Sequence, residues 1–268
     1  MKPYIWSHSR IQLFNTCPAQ YHFKYIAQEK QTFTGIEAFM GICVHSALEF
    51  LYKGIVQEKI HPVEDVLKVY QSEWTSRWNA AEEKGMPVKV IRHGISVNTY
   101  KNKGEVFLRD YYLAFYPFNQ SKTIATEEKF IFRLLDKWEF IAFLDRIGTT
   151  GDGHYEIHDY KTGAKPMSAN AALKDQQMDV YLLALSKDIR FEDLKDVKCY
   201  WYFLATGKGL VLKKHGGKVE AIEQDLAHKI EIIESAKDFP TKRSPLCSWC
   251  GWRELCPAFR AAPDKVME

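Results

Sequence analysis

Two short stretches decide how this chain is interpreted: residues 143–147, Phe-Leu-Asp-Arg-Ile, and residues 157–163, Ile-His-Asp-Tyr-Lys-Thr-Gly. Each lies in a segment that alternates polar and apolar residues with a period near two, as half-buried strands do. The segment between them contains Gly148, Gly151 and Gly153, which predicts a hairpin turn. We therefore expect the two stretches to be neighbouring antiparallel strands.

The acids of these strands are expected to lie together. Side chains at i and i+2 of a strand share a face, so Asp159 and Lys161 should point the same way. A hairpin closed around residues 148–154 places Asp145 opposite about Ile157 and near Asp159. Asp159 and Lys161 are expected at a strand end rather than in the core. Two such carboxylates repel unless a cation bridges them, and their hard oxygens suit Mg²⁺ or Mn²⁺. With a lysine to orient water, the pattern indicates phosphodiester hydrolysis.

The rest of the chain predicts an α/β fold: a mostly helical N-terminal half, a small sheet and flanking helices. Ser9 and Gln12 resemble a capping box for a helix ending near Thr16-Cys17, and Pro18 suits the first turn of the next helix. The remaining predicted helices cover about 36–52, 63–83, 94–115, 171–186 and 219–237. The predicted strands cover about 123–133, 138–148, 154–161, 198–204 and 209–213.

Composition predicts a folded protein with a sizeable core, because 46% of the residues are hydrophobic and 14% aromatic. The net charge of +3 permits a polyanionic partner without requiring one. Residues 1–6 lack an apolar signal core, and the longest apolar run, about Cys199 to Ala205, is too short to span a bilayer. We expect a cytoplasmic protein with no membrane partner, whose cysteines are thiols or metal ligands rather than disulfides. Cys43 and Cys199 lie in apolar runs and are expected in the core.

The acid on one strand followed by Asp-x-Lys on the next resembles the PD-(D/E)XK nuclease superfamily, specifically its RecB-like branch. That branch carries Gln-x-x-x-Tyr on the following helix, here Gln177 and Tyr181, which share a helix face at i and i+4. It also carries Gly-x-x-x-His on an N-terminal helix, here Gly41 and His45. Ala142 departs from the pattern, since the family often has glycine three residues before the first acid. Taken singly, these motifs also fit ordinary surface or core positions, but their joint order favours the resemblance.

The resemblance implies a restriction-endonuclease-like core, with a small mixed sheet flanked by helices, in a single domain spanning residues 1–268. It implies that a divalent metal, Mg²⁺ or Mn²⁺, is held by His45, Asp145, Asp159 and the Tyr160 carbonyl. It assigns catalytic roles to Asp145, Asp159, Lys161, Gln177 and Tyr181.

The C-terminal cysteines form a second pattern. Cys247, Cys250 and Cys256 give C-x₂-C-x₅-C, one thiolate short of a four-cysteine site, and Cys17 is the best fourth. By ligand type alone, four thiolates suit Zn²⁺ and a [4Fe–4S] cluster about equally. The arrangement is similar to AddB-type nucleases and CRISPR-adaptation exonucleases, where four cysteines hold a [4Fe–4S] cluster. This resemblance favours iron–sulfur and implies that the cluster joins the N- and C-terminal segments.

Functionally, the resemblance implies a metal-dependent DNA nuclease, most specifically an exonuclease on single-stranded DNA ends in recombination, repair, or phage or CRISPR DNA processing. Three alternatives are a CRISPR-adaptation exonuclease proper, a catalytically silent DNA-binding scaffold subunit, and a sequence-specific restriction endonuclease. A silent subunit is expected to lose an acid or the lysine, and the cysteine pattern argues against a restriction enzyme. The chain has no P-loop, so unwinding requires a helicase or recombination partner.

Candidate contacts to the DNA backbone are Arg10, Lys165, Lys213, Lys214 and Lys218. Candidate base-stacking residues are Tyr160, Tyr181 and Trp201.

Overall fold

The N-terminal half is helical in the computed structural model, which describes residues 5–163 and 166–260. Its elements are α1 (His8–Thr16), α2 (Pro18–Tyr21, continued by a π-helix over His22–Ile26), β1 (Thr34–Gly35), α3 (Ile36–Val56), α4 (Val63–Glu83), β2 (Val88–Lys89) and α5 (Val97–Phe115). The short strands β1 and β2 pair in parallel. The predicted helices over 36–52, 63–83 and 94–115 are confirmed to within a few residues.

The C-terminal half contains a mixed sheet covered by helices. Its elements are β3 (Lys122–Leu134), β4 (Trp138–Gly151), β5 (His154–Lys161), α6 (Ala169–Leu173), α7 (Gln176–Ser186), β6 (Asp196–Phe203), β7 (Lys208–His215) and α8 (Val219–Ser235). Within the described residues the strand order is β3-β4-β5-β6-β7. Only the β5–β6 pair of this sheet is parallel. The predicted α/β class, with a helical N-terminal half, is confirmed.

Two buried clusters pack around the sheet. One joins the strands to α1, α7 and α8, through residues such as Ile11, Leu182 and Ile230. The other joins α3, α4 and α5 to the C-terminal ends of β5 and β6, where Tyr160 and the following Leu204 are buried. The sheet is therefore enclosed by helices on both sides, and β5 carries residues that face each cluster.

The helix α3 qualifies by length and composition as a candidate membrane span, with a mean hydropathy of 1.3. The helix contains no long uninterrupted apolar run, because Glu37, His45 and Glu49 divide its apolar residues. Half of the qualifying window is buried inside the fold, and a core helix meets the same criteria. Since α3 packs on α4, α5 and β3, it acts here as a core helix.

The β4–β5 hairpin turns on Asp152 and Gly153. Both residues have positive φ, 52° and 76°, as a two-residue hairpin loop of this kind requires. The turn was predicted from the glycines of this segment, but β4 extends to Gly151 rather than ending near residue 148.

The longer strand changes the predicted register by two residues. Arg146 pairs with His158, and the ladder between β4 and β5 ends there. Continuing that register places Asp145 level with Asp159, so the prediction that Asp145 lies opposite Ile157 is wrong. The correction brings the two acids closer to one another than the sequence indicated.

Two helix boundaries also differ from prediction. Ser7, not Ser9, caps α1, because Ser7 has extended backbone and its side chain accepts a hydrogen bond from the Arg10 amide. The predicted helix over 171–186 is two helices, because the side chain of Asp175 accepts from the Gln177 amide and starts α7 anew.

Candidate active site

Asp159 and Lys161 form an ion pair at the end of β5, with Lys161 Nζ 2.6 Å from Asp159 Oδ2. Asp159 is only 2% exposed, because Tyr181 of α7 covers it, so its predicted placement outside the core is wrong. Burial and the negative charge of Asp145 raise the pKa of Asp159 to about 7, despite the opposing effect of Lys161. A buried carboxylate beside a second carboxylate requires compensating positive charge.

Asp145 lies where β4 and β5 separate. Its Oδ2 atom accepts a hydrogen bond of 2.8 Å from the Tyr160 amide, so the side chain occupies the space that opens between the two strands. Its Oδ1 atom lies 3.5 Å from His45 Nδ1. The other ring nitrogen of His45, Nε2, lies 2.9 Å from the Tyr160 carbonyl oxygen. The helix α3 therefore brings His45 to the two strands that carry the acids.

Gln177 and Tyr181 complete a ring of contacts around the acid–lysine pair. Lys161 Nζ donates to Gln177 Oε1 at 2.8 Å, and Gln177 Nε2 donates to the Tyr181 hydroxyl at 2.6 Å. The Tyr181 hydroxyl donates in turn to Asp159 Oδ1 at 3.4 Å. Burial, together with the charges of Asp159 and Asp145, raises the pKa of Tyr181 well above its ordinary value. The hydroxyl therefore stays protonated, and the ring fixes the direction of the lysine.

Glu127 is a site residue that the sequence analysis missed. Its Oε1 atom lies 3.5 Å from His45 Nδ1, and one donor atom each from His45, Glu127 and Asp145 lie within 4.8 Å of one another. In the sequence Glu127 is one of two adjacent glutamates in an alternating strand, a pattern typical of a solvated face. Only the strand register and the packing of α3 on β3 reveal it.

A glycine allows α3 to lie close to the end of β5. A Cβ atom on Gly41 would meet Thr162 Oγ1 at 3.1 Å, closer than ordinary van der Waals contact. A cavity of about 500 Å³ opens beside His45, and its lining includes Glu37, Gly41, Glu49, Arg77, Glu127 and Thr162. Since the charged lining is mainly acidic, a phosphate could be held there only together with cations.

Comparison with known families identifies this arrangement. The model of the PD-(D/E)XK nuclease superfamily matches residues 5–257.

The chain belongs to the PD-(D/E)XK nuclease superfamily.

Membership of this superfamily implies that the chain is a nuclease that hydrolyses DNA phosphodiesters with the help of a divalent metal. A solved structure titled "Crystal structure of SSO0001" aligns over 93% of this chain and 96% of that chain, with 11% identity and a TM-score of 0.37. That score is too low to support an argument about either protein. No curated protein matches the sequence.

Four cysteines of this PD-(D/E)XK protein line one cavity of about 260 Å³: Cys17, Cys247, Cys250 and Cys256. Burial raises the pKa of the Cys250 thiol, and the charges of the other three raise it further, although a backbone hydrogen bond opposes this. Cys43 and Cys199 are fully buried in the hydrophobic clusters, which confirms them as core cysteines.

The cysteine-rich segment is attached to the start of the helix that carries His45. Trp249 Nε1 donates to Glu37 Oε2 in the first turn of α3 at 3.2 Å. Trp252 Nε1 donates to the Glu29 carbonyl at 2.8 Å. These hydrogen bonds join the cysteine segment to the first turn of α3 and to the loop before it.

Three of the five residues proposed to contact the DNA backbone are buried or paired with an acid. Arg10 is 5% exposed and lies over the aromatic rings of Trp6 and Tyr25, which removes it from the surface. Lys213 pairs with Asp196 at 2.8 Å, and Lys214 pairs with Asp179. Lys218 is exposed. Lys165 lies outside the described residues.

The proposed base-stacking residues are buried. Tyr160 and Tyr181 are 4% and 5% exposed, and Trp201 is fully buried. Each ring fills one of the hydrophobic clusters, so none can stack on a nucleobase in this conformation. The alternation in the sequence does not show which faces of a strand or helix are covered. In the structure, the faces that carry these three rings pack inside the hydrophobic clusters.

Proposed function

We propose that this PD-(D/E)XK protein is a metal-dependent exonuclease that degrades single-stranded DNA from its ends. The observation that carries the nuclease activity is the ring of contacts among Asp159, Lys161, Gln177 and Tyr181 beside Asp145. It aims a lysine ammonium at the place where two carboxylates converge. A silent scaffold subunit would not need to maintain that geometry, so the ring favours catalysis.

The proposed cofactor is Mg²⁺ or Mn²⁺, with His45, Asp145, Asp159 and the Tyr160 carbonyl as candidate ligands. These residues fit a divalent cation because they concentrate carboxylate oxygens and one imidazole around the space between β4 and β5. When bound, the metal neutralises negative charge that develops on the phosphate.

The protein's own groups then orient the reaction. The Lys161 ammonium can donate hydrogen bonds to an attacking water or to a phosphate oxygen, and Asp159 and Gln177 hold it in place. Tyr181 fixes the orientation of the Gln177 amide by accepting from its nitrogen, which leaves the amide oxygen to face the lysine.

We further propose that the four cysteines hold a [4Fe–4S] cluster. The four cysteines line one cavity, and the resemblance to AddB-type nucleases and CRISPR-adaptation exonucleases favours a cluster over a single zinc ion. A cluster would close a loop of more than 200 residues between Cys17 and Cys247, which stabilises the fold by about 5 kcal/mol in the chain-entropy account.

Metal analysis tests the cluster. Protein purified without oxygen should be brown and contain about four irons per chain. Cys17→Ala should lower the iron content as much as Cys250→Ala, whereas the buried control Cys43→Ala should retain it. One equivalent of zinc in colourless protein would refute the cluster and leave a four-cysteine site.

The preference for single-stranded ends rests on the resemblance to RecB-like exonucleases. Contacts would be made to one backbone rather than to base edges, so activity should have little sequence preference and should fall steeply with salt. Linear single strands should be degraded much faster than covalently closed single-stranded circles. If circles disappear as fast as linear strands, the protein is an endonuclease built on the same site.

The proposed setting is cytoplasmic, in recombination, repair, or phage or CRISPR DNA processing. Because the sequence contains no P-loop, a separate helicase or recombination partner would supply single strands from duplex DNA.

A further inference from the structure

Both ring nitrogens of His45 are engaged, and their partners differ in kind. A carbonyl oxygen can only accept, so Nε2 carries the proton in its 2.9 Å contact with the Tyr160 carbonyl. Nδ1 points at carboxylate oxygens of Glu127 and Asp145, each 3.5 Å away and beyond ordinary hydrogen-bond length. Histidines that bind metals characteristically donate the N–H of one nitrogen to a carbonyl or carboxylate while the other nitrogen binds the ion.

Glu127 is placed toward this nitrogen by an unusual backbone. Thr126 pairs with Arg146 and Glu128 with Leu144, so Glu127 lies level with Asp145 across β3 and β4. Its φ of 46° lies in the left-handed region that residues other than glycine rarely adopt. The acid therefore leaves regular strand geometry at the position that faces His45.

The carboxylates at this site outnumber the cations. Asp159 is 2% exposed, and its Oδ2 atom lies 2.6 Å from Lys161 Nζ, so the charge of the lysine is already paired with this acid. With Glu127 and Asp145, this makes three carboxylates around one histidine and one lysine, a set that repels without a further cation.

We propose that Glu127 is a metal ligand, and that His45 Nδ1, Glu127 and Asp145 together bind a divalent cation. The inference rests on the proposed function and deepens it, because it adds Glu127 to the candidate ligands His45, Asp145, Asp159 and the Tyr160 carbonyl. One imidazole nitrogen with two carboxylates suits Mn²⁺ better than Mg²⁺, which prefers an all-oxygen site.

The chain offers a matched control next to Glu127. The side chains of Glu127 and Glu128 are each 30% exposed, but Glu128 Oε1 accepts from Arg190 at 2.8 Å instead of facing His45. Chelator-treated wild type, Glu127→Gln and Glu128→Gln are titrated with MnCl₂ by calorimetry. Glu127→Gln should lose at least about tenfold in Mn²⁺ affinity, and Glu128→Gln should match the wild type.

Cleavage of DNA against Mn²⁺ concentration gives the second measurement. The Glu127→Gln curve should move to higher Mn²⁺ by the same factor and recover at saturation. Equal Mn²⁺ affinity of wild type and Glu127→Gln would overturn the proposal, even if the wild type cleaves DNA. Binding that depends on Glu127 without any cleavage would instead overturn the nuclease function and leave the metal site standing. If Glu127→Gln is poorly folded by circular dichroism, Glu127→Ala replaces it, because it also removes the carboxylate, and unchanged affinity in that variant counts equally against the proposal.

Discussion

His158 makes the stability of this protein sensitive to mild acid. It follows Ile157 on β5, on the side opposite Asp159, and is 2% exposed. Burial, and then the positive charge of Arg146, lower its pKa from 6.5 to about 3, although Glu156 at 3.3 Å opposes this. The rings of Tyr200 and Tyr202 stack on the imidazole. The folded protein therefore keeps His158 neutral at pH values where an unfolded chain would protonate it.

The sign of the effect follows from this depressed pKa. Stability from neutral His158 is fully present above the unfolded pKa of 6.5 and is lost as the pH falls from 6.5 toward about 3. Lowering the pH from about 7.5 to about 5 should remove about 2 kcal/mol through this residue, at 1.36 kcal/mol per pH unit. For a chain of this size the melting temperature should fall by roughly 4–8 °C.

The test compares thermal unfolding of wild type and His158→Gln by circular dichroism at about pH 7.5 and about pH 5. Glutamine cannot gain the proton, so the variant should lose about 2 kcal/mol less than the wild type between the two pH values. The comparison concerns the pH dependence alone, so a constant loss of stability in the variant does not affect it. The same pH dependence in both proteins would refute the assignment of a neutral, buried His158.

Other predictions concern the site and the helix packing. His45→Ala should require more metal for cleavage and be partly rescued by excess Mn²⁺, whereas a purely structural role would lower the melting temperature and leave the metal dependence unchanged. Tyr181→Phe should lower kcat roughly tenfold, by loss of one hydrogen-bonding group, with little change in KM for DNA; an unchanged kcat would remove Tyr181 from the site. Gly104→Ala should lower the free energy of unfolding by about 1–3 kcal/mol, measured with urea, because its Cβ would collide with the Tyr70 hydroxyl. A neutral result there would show that α4 and α5 can separate to accommodate the methyl group.

The parts of the fold that sequence predicted well depend on local patterns. Alternation and the Asp152-Gly153 region indicated the β4–β5 hairpin, and helical periodicity indicated α3, α4 and α5. The motifs that place Asp159, Lys161 and Gln177 at the site could be predicted for the same reason, because each motif lies on a single strand or helix. The error of two residues in the register came from strand length, which a turn motif alone does not determine.

The missed features depend on contacts between distant segments. Glu127 meets His45 only because α3 packs on β3, and nothing in the spacing of their residues reveals that contact. Asp159 and Trp201 are buried by helices whose position follows from the whole fold. Arg10 was taken for a surface charge because a sequence does not show the aromatic rings on which it lies.

The most direct measurement of the central claim is digestion of end-labelled single-stranded DNA by wild type, Asp159→Asn and Lys161→Ala with Mg²⁺ or Mn²⁺. Asparagine is used because Asp159 is buried, so its size should be preserved. Lys208→Ala, at an exposed position on β7, serves as the lysine control.

Wild type and Lys208→Ala should cleave only when metal is present. Both site variants should lose at least about a hundredfold in rate while remaining folded, because they remove a carboxylate or the ammonium that stabilises the reacting phosphate. Cleavage by Lys161→Ala at the wild-type rate, or wild-type cleavage that persists in chelator, would contradict the assignment of Asp159 and Lys161 as the centre of a metal-dependent nuclease.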